Sequence, residues 1–357
     1  MIHLRHVIKC LTEEGELNAN VDIDLSEAEL LKTYQTMVLT RILDTRMIAL
    51  QRQGRIGFYL SSYGEEACSV GSALGVSTND WFFPAYREQG AMLLKGVSLH
   101  FIISHLRGTA EDEHKGRSLP GLFGCSSKRF VPPSAPVGTQ IPHGVGAALA
   151  SKLIGDNSAT IVYFGDGATS SNDFHSGMNF AGVFKTPNVF FCKNNQWAIS
   201  THVNSQTSSQ GIAVKAQAYG FDGVLVDGND VLAVYLATKI AMENARAGRG
   251  PTLIEALTYR LSSHSTSDDN SRYQDQIEYK KWLNKDPIAR FRKYLNNAGI
   301  WTVEYEQELQ EKSNRQISEA IAQVESSPMP SVDTLITDVY SEIPSALRAD
   351  FEDIRNV

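Results

Sequence analysis

Two short motifs in this chain carry residue types suited to holding a cation and a phosphate: Gly165-Asp166-Gly167 and Lys193-Asn194-Asn195. Asp166 and Asn195 each offer a hard oxygen. Mg²⁺ takes such oxygens in an octahedron and usually adds substrate phosphates to the set. The glycines flanking Asp166 allow a tight turn in which backbone can come close to a ligand. Alone, a Gly-Asp-Gly is most often a surface turn. The setting is what joins the two motifs. Residues 161–164 form an apolar run rich in β-formers, as expected of a strand buried on both faces. Residues 173–184 read as a short helix with Asn172 or Asp173 as N-cap. Pro187 ends the connection, and residues 189–192 read as a second buried strand. Strand, crossover helix and strand make a βαβ unit with parallel strands. Both strand ends then open on one sheet edge, where open α/β sheets bind ligands. This spacing predicts a metal–diphosphate site on Asp166 and Asn195.

Other residues could serve the same edge. Arg87, in WFFPAYREQG, has a guanidinium that can pair two oxygens of a phosphate, and Tyr86 can add a hydroxyl. An isolated surface arginine is more often an ion pair of little consequence. His264 sits in RLSSHSTSDDNSR, after a predicted buried strand over 252–259. A histidine there can move protons near neutral pH. The adjacent Glu65 and Glu66 do not qualify as paired acid–base carboxylates, because neighbours on a helix do not face each other. Capping of a helix start is expected of them instead. His114, in the polar loop EDEHKGRSLPGLFG, is expected to be solvated. Gly144-Val145-Gly146 is not a dinucleotide fingerprint: the sixth position is Leu149, no strand precedes it and no suitable acid follows.

The elements that must position these residues follow from pattern. The 357 residues, 42% of them apolar, suffice for one large or two modest domains. A net charge of −7 argues against non-specific nucleic-acid binding. The four cysteines lie far apart, without metal-ligand or thioredoxin-type spacing, which suits reduced thiols inside a cell. No apolar run approaches membrane-spanning length. The first twenty residues lack a signal-peptide core and do not make a convincing transit peptide. Residues 1–25 read as an extended arm. Ser26 and Glu29 form a capping box that opens a long amphipathic helix stopping at Gly54. Gly144, Gly146, Ala147, Ala148 and Ala150 suit a helix packed closely on a sheet or another helix. Residues 224–226 read as a further strand and 230–246 as a helix. Residues 276–357 read as an outer helical layer and partner surface, interrupted at Pro287 and Pro328.

Gly-Asp-Gly followed by Asn-Asn resembles the thiamine diphosphate motif. The longer match, which includes QRQGRIGFYLSSYGEE and the His264-Ser265-Thr266-Ser267-Asp268-Asp269 run, resembles a family. That family is the α subunits of the decarboxylating dehydrogenase of 2-oxo acid dehydrogenase complexes. The resemblance implies an α/β thiamine-diphosphate-binding fold, a mostly parallel sheet with helices on both faces, with the cofactor-binding domain over residues 26–275. It implies Mg²⁺ held by Asp166, Asn195 and the main-chain carbonyl of Trp197. Cofactor contacts fall on Tyr86, Arg87, Val137, Asp166, Gly167, Ala168, Lys193, Asn195 and His264, the last at the reacting end. Phe58 and Tyr59 match the substrate entrance. Ser134, Pro136, Thr139 and Gln140 match a potassium-binding loop in some relatives, although an ordinary loop accounts for them equally. Ser265 matches a regulatory phosphorylation site. The chain departs from the pattern at Ala85, Leu122, Ala135 and Lys193. Lys193 replaces an arginine, so it keeps the charge and loses the fork.

The implied activity is decarboxylation of a 2-oxo acid and transfer of the acyl group to a lipoyl-bearing acyltransferase. The implied partner is a β subunit, in an α₂β₂ heterotetramer, which completes the active site; neither nucleic acid nor membrane is a partner. The Ser-Thr-Ser-Asp-Asp run resembles branched-chain members, with pyruvate dehydrogenase α subunits second and acetoin-cleaving relatives third. A non-catalytic scaffold subunit is the alternative from another class, and a nicotinamide enzyme is disfavoured for want of a dinucleotide loop. The expected location is the cytoplasm of a bacterium or archaeon rather than the mitochondrial matrix.

Overall fold

The computed structural model describes residues 7–355, so positions 1–6 of the N-terminal arm lie outside the described residues. The first elements are α1 (Glu27–Arg52), α2 (Glu66–Leu74), β1 (Trp81–Phe83), α3 (Gln89–Leu94) and α4 (Leu99–Arg107). Next come α5 (Gln140–Ile154), β2 (Thr160–Gly165), α6 (Asn172–Phe184), β3 (Asn188–Asn194), β4 (Trp197–Ala198) and β5 (Thr201–His202). Then β6 (Asp222–Asp227), α7 (Val231–Arg246) and β7 (Thr252–Leu257) complete the sheet region. Helices α8 (Gln276–Leu283), α9 (Pro287–Asn297), α10 (Val303–Ser326), α11 (Thr334–Thr337) and α12 (Arg348–Arg355) follow.

Strands β1, β2, β3, β7 and β6 lie side by side in that order, every pair parallel. The alternation of side chains along a strand explains the two-faced core. Ile161, Tyr163, Val189 and Phe191 point to one face, into a cluster with α1, α2 and α7. Val162, Phe164, Phe190 and Cys192 point to the other, against α5 and α6. All eight are fully buried, which is why these strands read as continuous apolar runs rather than as alternating ones. Both sheet edges are covered by single bridges, Ile8 to Val226 beyond β6 and Phe82 to Phe130 beyond β1.

Local signals hold well. Ser26 caps α1 with the reciprocal Glu29 bond. Pro287, read from sequence as an interruption, is the first residue of α9, where its missing N–H costs no helix bond, and Asp286 caps it. The N-cap of α6 is Ser171 rather than Asn172 or Asp173; its hydroxyl accepts from the Phe174 N–H. Gly144 shows why α5 needs small residues: a Cβ there would lie 2.4 Å from Val162 Cγ2 on β2. The described part of the arm is docked rather than free. The Asp230 carboxylate, which caps α7, also accepts the N–H groups of Cys10 and Leu11 at 2.7 and 2.6 Å. Helices α9 and α10 bury Phe291, Leu295, Ile317 and Val324 in the same cluster as the sheet face. Among the described residues no helix is long and apolar enough to cross a membrane.

Candidate functional site

A cleft of about 250 Å³ opens at the carboxyl edge of the sheet. Four parallel strands deliver its walls. Tyr86 and Arg87 come from the turn after β1, residues 164–168 from the end of β2, Asn195 and Trp197 from the end of β3, and His264 from the loop after β7. Ser134, Val137 and Gln140 close it from the approach to α5. The parallel register places Gly165 beside Lys193, so the two motifs joined by α6 end level with each other.

Asp166 is buried, and its Oδ2 accepts from Gln206 Nε2 at 2.7 Å. Burial lifts the carboxyl to about 6; the Glu65 charge adds to the rise and the Gln206 hydrogen bond opposes it. The next residue must be small: a Cβ on Gly167 would sit 2.7 Å from the Ala198 Cβ, because the loops after β2 and β3 close on each other. Asn195 Nδ2 donates to Glu65 Oε1 at 2.8 Å, and Asn195 Oδ1 accepts the Trp197 N–H at 3.1 Å.

Arg87 and His264 form one unit. Arg87 donates to the Ser61 carbonyl, to the His264 carbonyl at 2.6 Å and to His264 Nδ1 at 3.2 Å. Guanidinium is donor-only, so Nδ1 must present its lone pair and the ring proton sits on Nε2. Burial, reinforced by the charges of Arg87 and Arg260, pushes the imidazolium pKa down to about 3. His264 is therefore a neutral donor at neutral pH. The Tyr86 ring stands edge-on to it at 6.1 Å between centroids.

Several expected residues lie elsewhere. Lys193 does not line the cleft; it is buried beneath, 2.6 Å from Glu88 Oε1 and 3.3 Å from Glu65 Oε2. Tyr59 is sealed inside, with its hydroxyl on Asp44 Oδ1 at 2.5 Å, and borders a separate cavity of about 230 Å³ with Ser265 and Thr266. Phe58, half-buried, lines neither cavity. Pro136 and Thr139 are likewise outside the cleft lining, and the Pro136 carbonyl accepts the Thr139 hydroxyl at 3.0 Å. The Gln140 amide nitrogen is held by the Tyr163 carbonyl at 2.8 Å. His114 is not simply solvated: it is half-buried, with Nδ1 2.5 Å from the Ser118 hydroxyl.

Glu65 and Glu66 correct a local expectation. Glu65 occupies the N-cap position of α2 yet makes no side-chain capping bond. Both carboxylates are completely buried, Glu65 toward Lys193 and Asn195, Glu66 toward Arg41 at 2.7 Å. Glu65, Glu88 and Gln206 are the site-supporting residues that the motif search passes over. One signal was present: the two glutamates lead straight into Ala67-Cys68-Ser69-Val70-Gly71, a run too small and apolar for a solvated face.

The donor set suits Mg²⁺. It offers one carboxylate, one amide oxygen and a nearby main-chain carbonyl, all hard oxygens, around a cleft with an arginine. Among the described residues no group of three or more His, Cys, Asp or Glu could hold a metal by itself. A magnesium ion that takes its remaining ligands from a diphosphate and water needs no such group.

Comparison with known proteins gives a consistent picture. The family model described as "Dehydrogenase E1 component" matches residues 34–333. The chain is similar to the mitochondrial 2-oxoisovalerate dehydrogenase subunit alpha of Homo sapiens, 42% identical over 98% of this chain and 79% of that protein. It is also similar to the 3-methyl-2-oxobutanoate dehydrogenase subunit alpha of Mycobacterium tuberculosis, 44% identical over 93% of this chain and 88% of that protein. The mitochondrial 2-oxoisovalerate dehydrogenase subunit alpha of Dictyostelium discoideum is 41% identical, over 95% and 78%.

Proposed function

Since the chain belongs to the dehydrogenase E1 component family, we propose that it is the α subunit of a thiamine-diphosphate-dependent branched-chain 2-oxo acid dehydrogenase. It decarboxylates 3-methyl-2-oxobutanoate and related acids, releases CO₂, and passes the acyl group to the lipoyl disulfide of an acyltransferase. The observation that carries the reading is the convergence of Asp166, Asn195, Arg87 and His264, from four strand ends, on one cleft. Names of mitochondrial and bacterial relatives alike give branched-chain substrates.

Asp166, Asn195 and the Trp197 carbonyl hold Mg²⁺, and Arg87 with Tyr86 holds the diphosphate. Val137 supports the cofactor, and Gly167 and Ala168 let backbone approach it. The bound cofactor supplies the electron sink for decarboxylation. His264, neutral with its proton on Nε2, would donate a hydrogen bond to charge developing at the reacting end, and Arg87 on its other nitrogen keeps that tautomer in place. Ser134, Pro136, Thr139 and Gln140 would hold a potassium ion if one binds; the Tyr163 carbonyl holds the Gln140 amide nitrogen, which leaves its oxygen as the acceptor. A β subunit completes the active site in an α₂β₂ assembly.

The test is reconstitution with the β subunit, followed by reduction of an artificial electron acceptor. Turnover should require thiamine diphosphate and Mg²⁺ and should favour 2-oxoisovalerate over pyruvate. Preference for pyruvate would move the chain to the pyruvate branch, and no turnover with any 2-oxo acid would overturn the enzymatic reading.

A further inference from the structure

Beneath the cleft lies a group of charges that the proposed chemistry does not use. Glu65, Glu88 and Lys193 are each at most 3% exposed, two carboxylates around one ammonium. Lys193 Nζ lies 3.3 Å from Glu65 Oε2 and 2.6 Å from Glu88 Oε1. The three come from different places: the entry to α2, the turn after β1, and the end of β3. Burying charges is costly and needs close pairing and hydrogen bonds in return. Hydrophobic residues of similar volume would often serve stability equally well. The outer contacts of the trio explain its placement.

Each free end of the trio grips a cleft residue. Glu65 Oε1 accepts from Asn195 Nδ2 at 2.8 Å. A carboxylate only accepts, so it selects one of the two orientations of the Asn195 amide, with nitrogen inward and oxygen on the other side. That oxygen takes the Trp197 N–H and has a second lone pair left for a cation. At the other end, Glu88 Oε2 accepts the N–H groups of Ala85 and Arg87 at 2.9 and 3.1 Å, while Lys193 Nζ donates to the Arg87 carbonyl at 3.2 Å. Both main-chain polar groups of Arg87 are thus held by the trio.

We propose that Glu65, Lys193 and Glu88 form a buried positioning unit: Glu65 orients the Asn195 amide toward the metal, Glu88 and Lys193 set Arg87 toward the diphosphate, and Lys193 ties the two halves together. The proposal rests on the functional reading above and deepens it. It also assigns Lys193 a role other than phosphate contact, since its ammonium is paired with Glu65 and Glu88 and donates to the Arg87 carbonyl.

The unit has two halves, so its test is a split. The αβ holoenzyme is stripped of cofactor. Mn²⁺ affinity is read by the spin signal of the free ion at saturating thiamine diphosphate, and thiamine diphosphate affinity by calorimetry at saturating Mg²⁺. Circular dichroism and thermal unfolding confirm that each variant is folded. Loss of a partner that orients a metal ligand typically weakens metal affinity about 10–100-fold. Glu65→Gln should show that loss, with kcat at saturating metal and cofactor close to wild type. Glu88→Gln should weaken thiamine diphosphate binding more than Mn²⁺ binding. Lys193→Met should weaken both. Glu65→Asp, which keeps the charge and shortens the reach, should fall between wild type and Glu65→Gln, and it replaces Glu65→Gln if that variant does not fold. Mn²⁺ affinity of the Glu65 variants within twofold of wild type would overturn the proposal while leaving the functional reading intact. So would equal effects of Glu65→Gln and Glu88→Gln on both ligands. A wild-type holoenzyme that binds neither Mn²⁺ nor thiamine diphosphate would overturn the functional reading itself, and the positioning unit with it.

Discussion

Glu65 and Glu66 are neighbours in sequence, equally buried and chemically identical, yet they belong to different regions of the molecule. Glu65 reaches under the cleft to Lys193 and Asn195. Glu66 reaches back between the helices, to Arg41 on α1, which also holds Asp286 at the cap of α9 at 2.5 Å. One carboxylate reaches a residue that lines the cleft; the other joins three helices. Buried ion pairs alone therefore do not mark a functional site. What distinguishes the first region is that its outer contacts end on cleft residues, the Asn195 side chain and the Arg87 main chain.

The largest expected effect lies in the cleft region. Asp166→Ala removes the sole carboxylate of the donor set and should abolish Mg²⁺-dependent binding of thiamine diphosphate, as read by calorimetry on the αβ holoenzyme. Tight, metal-dependent binding by the variant would remove Asp166 from the metal site and leave the comparison without its functional half.

The helix region should respond in the opposite way. Glu66→Gln leaves the Arg41 guanidinium, largely buried, with only one of its two carboxylates, Asp286. Removing one partner of a buried pair costs about 3–5 kcal/mol, which denaturant unfolding of the chain would read directly. Metal affinity of the folded fraction should not change. A Glu66→Gln protein of normal stability but weakened metal affinity would mean that the two regions are one network.

His264→Gln probes the cleft without touching its metal half. Loss of a hydrogen-bond donor aimed at developing charge typically costs about 10²–10³ in rate. The lower end is expected here, because glutamine still offers an N–H donor. Thiamine diphosphate and Mg²⁺ affinities should stay near wild type, and a loss of metal binding instead of kcat would move His264 out of the reacting end.

The two regions also differ in how far they could be read from sequence. The strands β2 and β3 were legible because burial on both faces leaves a continuous apolar run, and because one crossover helix forces both ends onto one edge. The placement of Asp166 and Asn195 at one cleft followed from that. The pairing of Lys193 with Glu65 and Glu88 was not legible, because the three come from the end of β3, the entry to α2 and the turn after β1, and only the folded sheet brings them together. The rule that adjacent helix residues do not face each other was sound. It excluded a Glu65–Glu66 pair but could not reveal that each had a separate distant partner. The Tyr59 contact was hidden for a related reason: an aromatic residue in a matching segment looks the same whether its hydroxyl meets a substrate or the buried Asp44.

The smallest expected effect separates the regions by pH. Burial raises the carboxyl pKa of both Asp166 and Glu66, Asp166 to about 6. A raised carboxyl pKa means that the folded state binds its proton more tightly than the unfolded chain does. The stability from that proton is fully present below the unfolded value, near 3.8, and is lost as pH rises through about 6. Between pH 5 and pH 7 the cation-free chain should lose about 1 kcal/mol through Asp166, relative to an Asp166→Asn reference that cannot titrate. A melting temperature lower by about 2 °C is the expected reading. Mg²⁺ with thiamine diphosphate should abolish this slope by replacing the proton as the partner of Asp166, and should bind more weakly as pH falls through about 6. Glu66 is paired with Arg41 rather than with a ligand, so its contribution should be the same with and without the cation. A slope that Mg²⁺ and thiamine diphosphate leave untouched would place the titrating carboxyl in the helix region instead of the cleft.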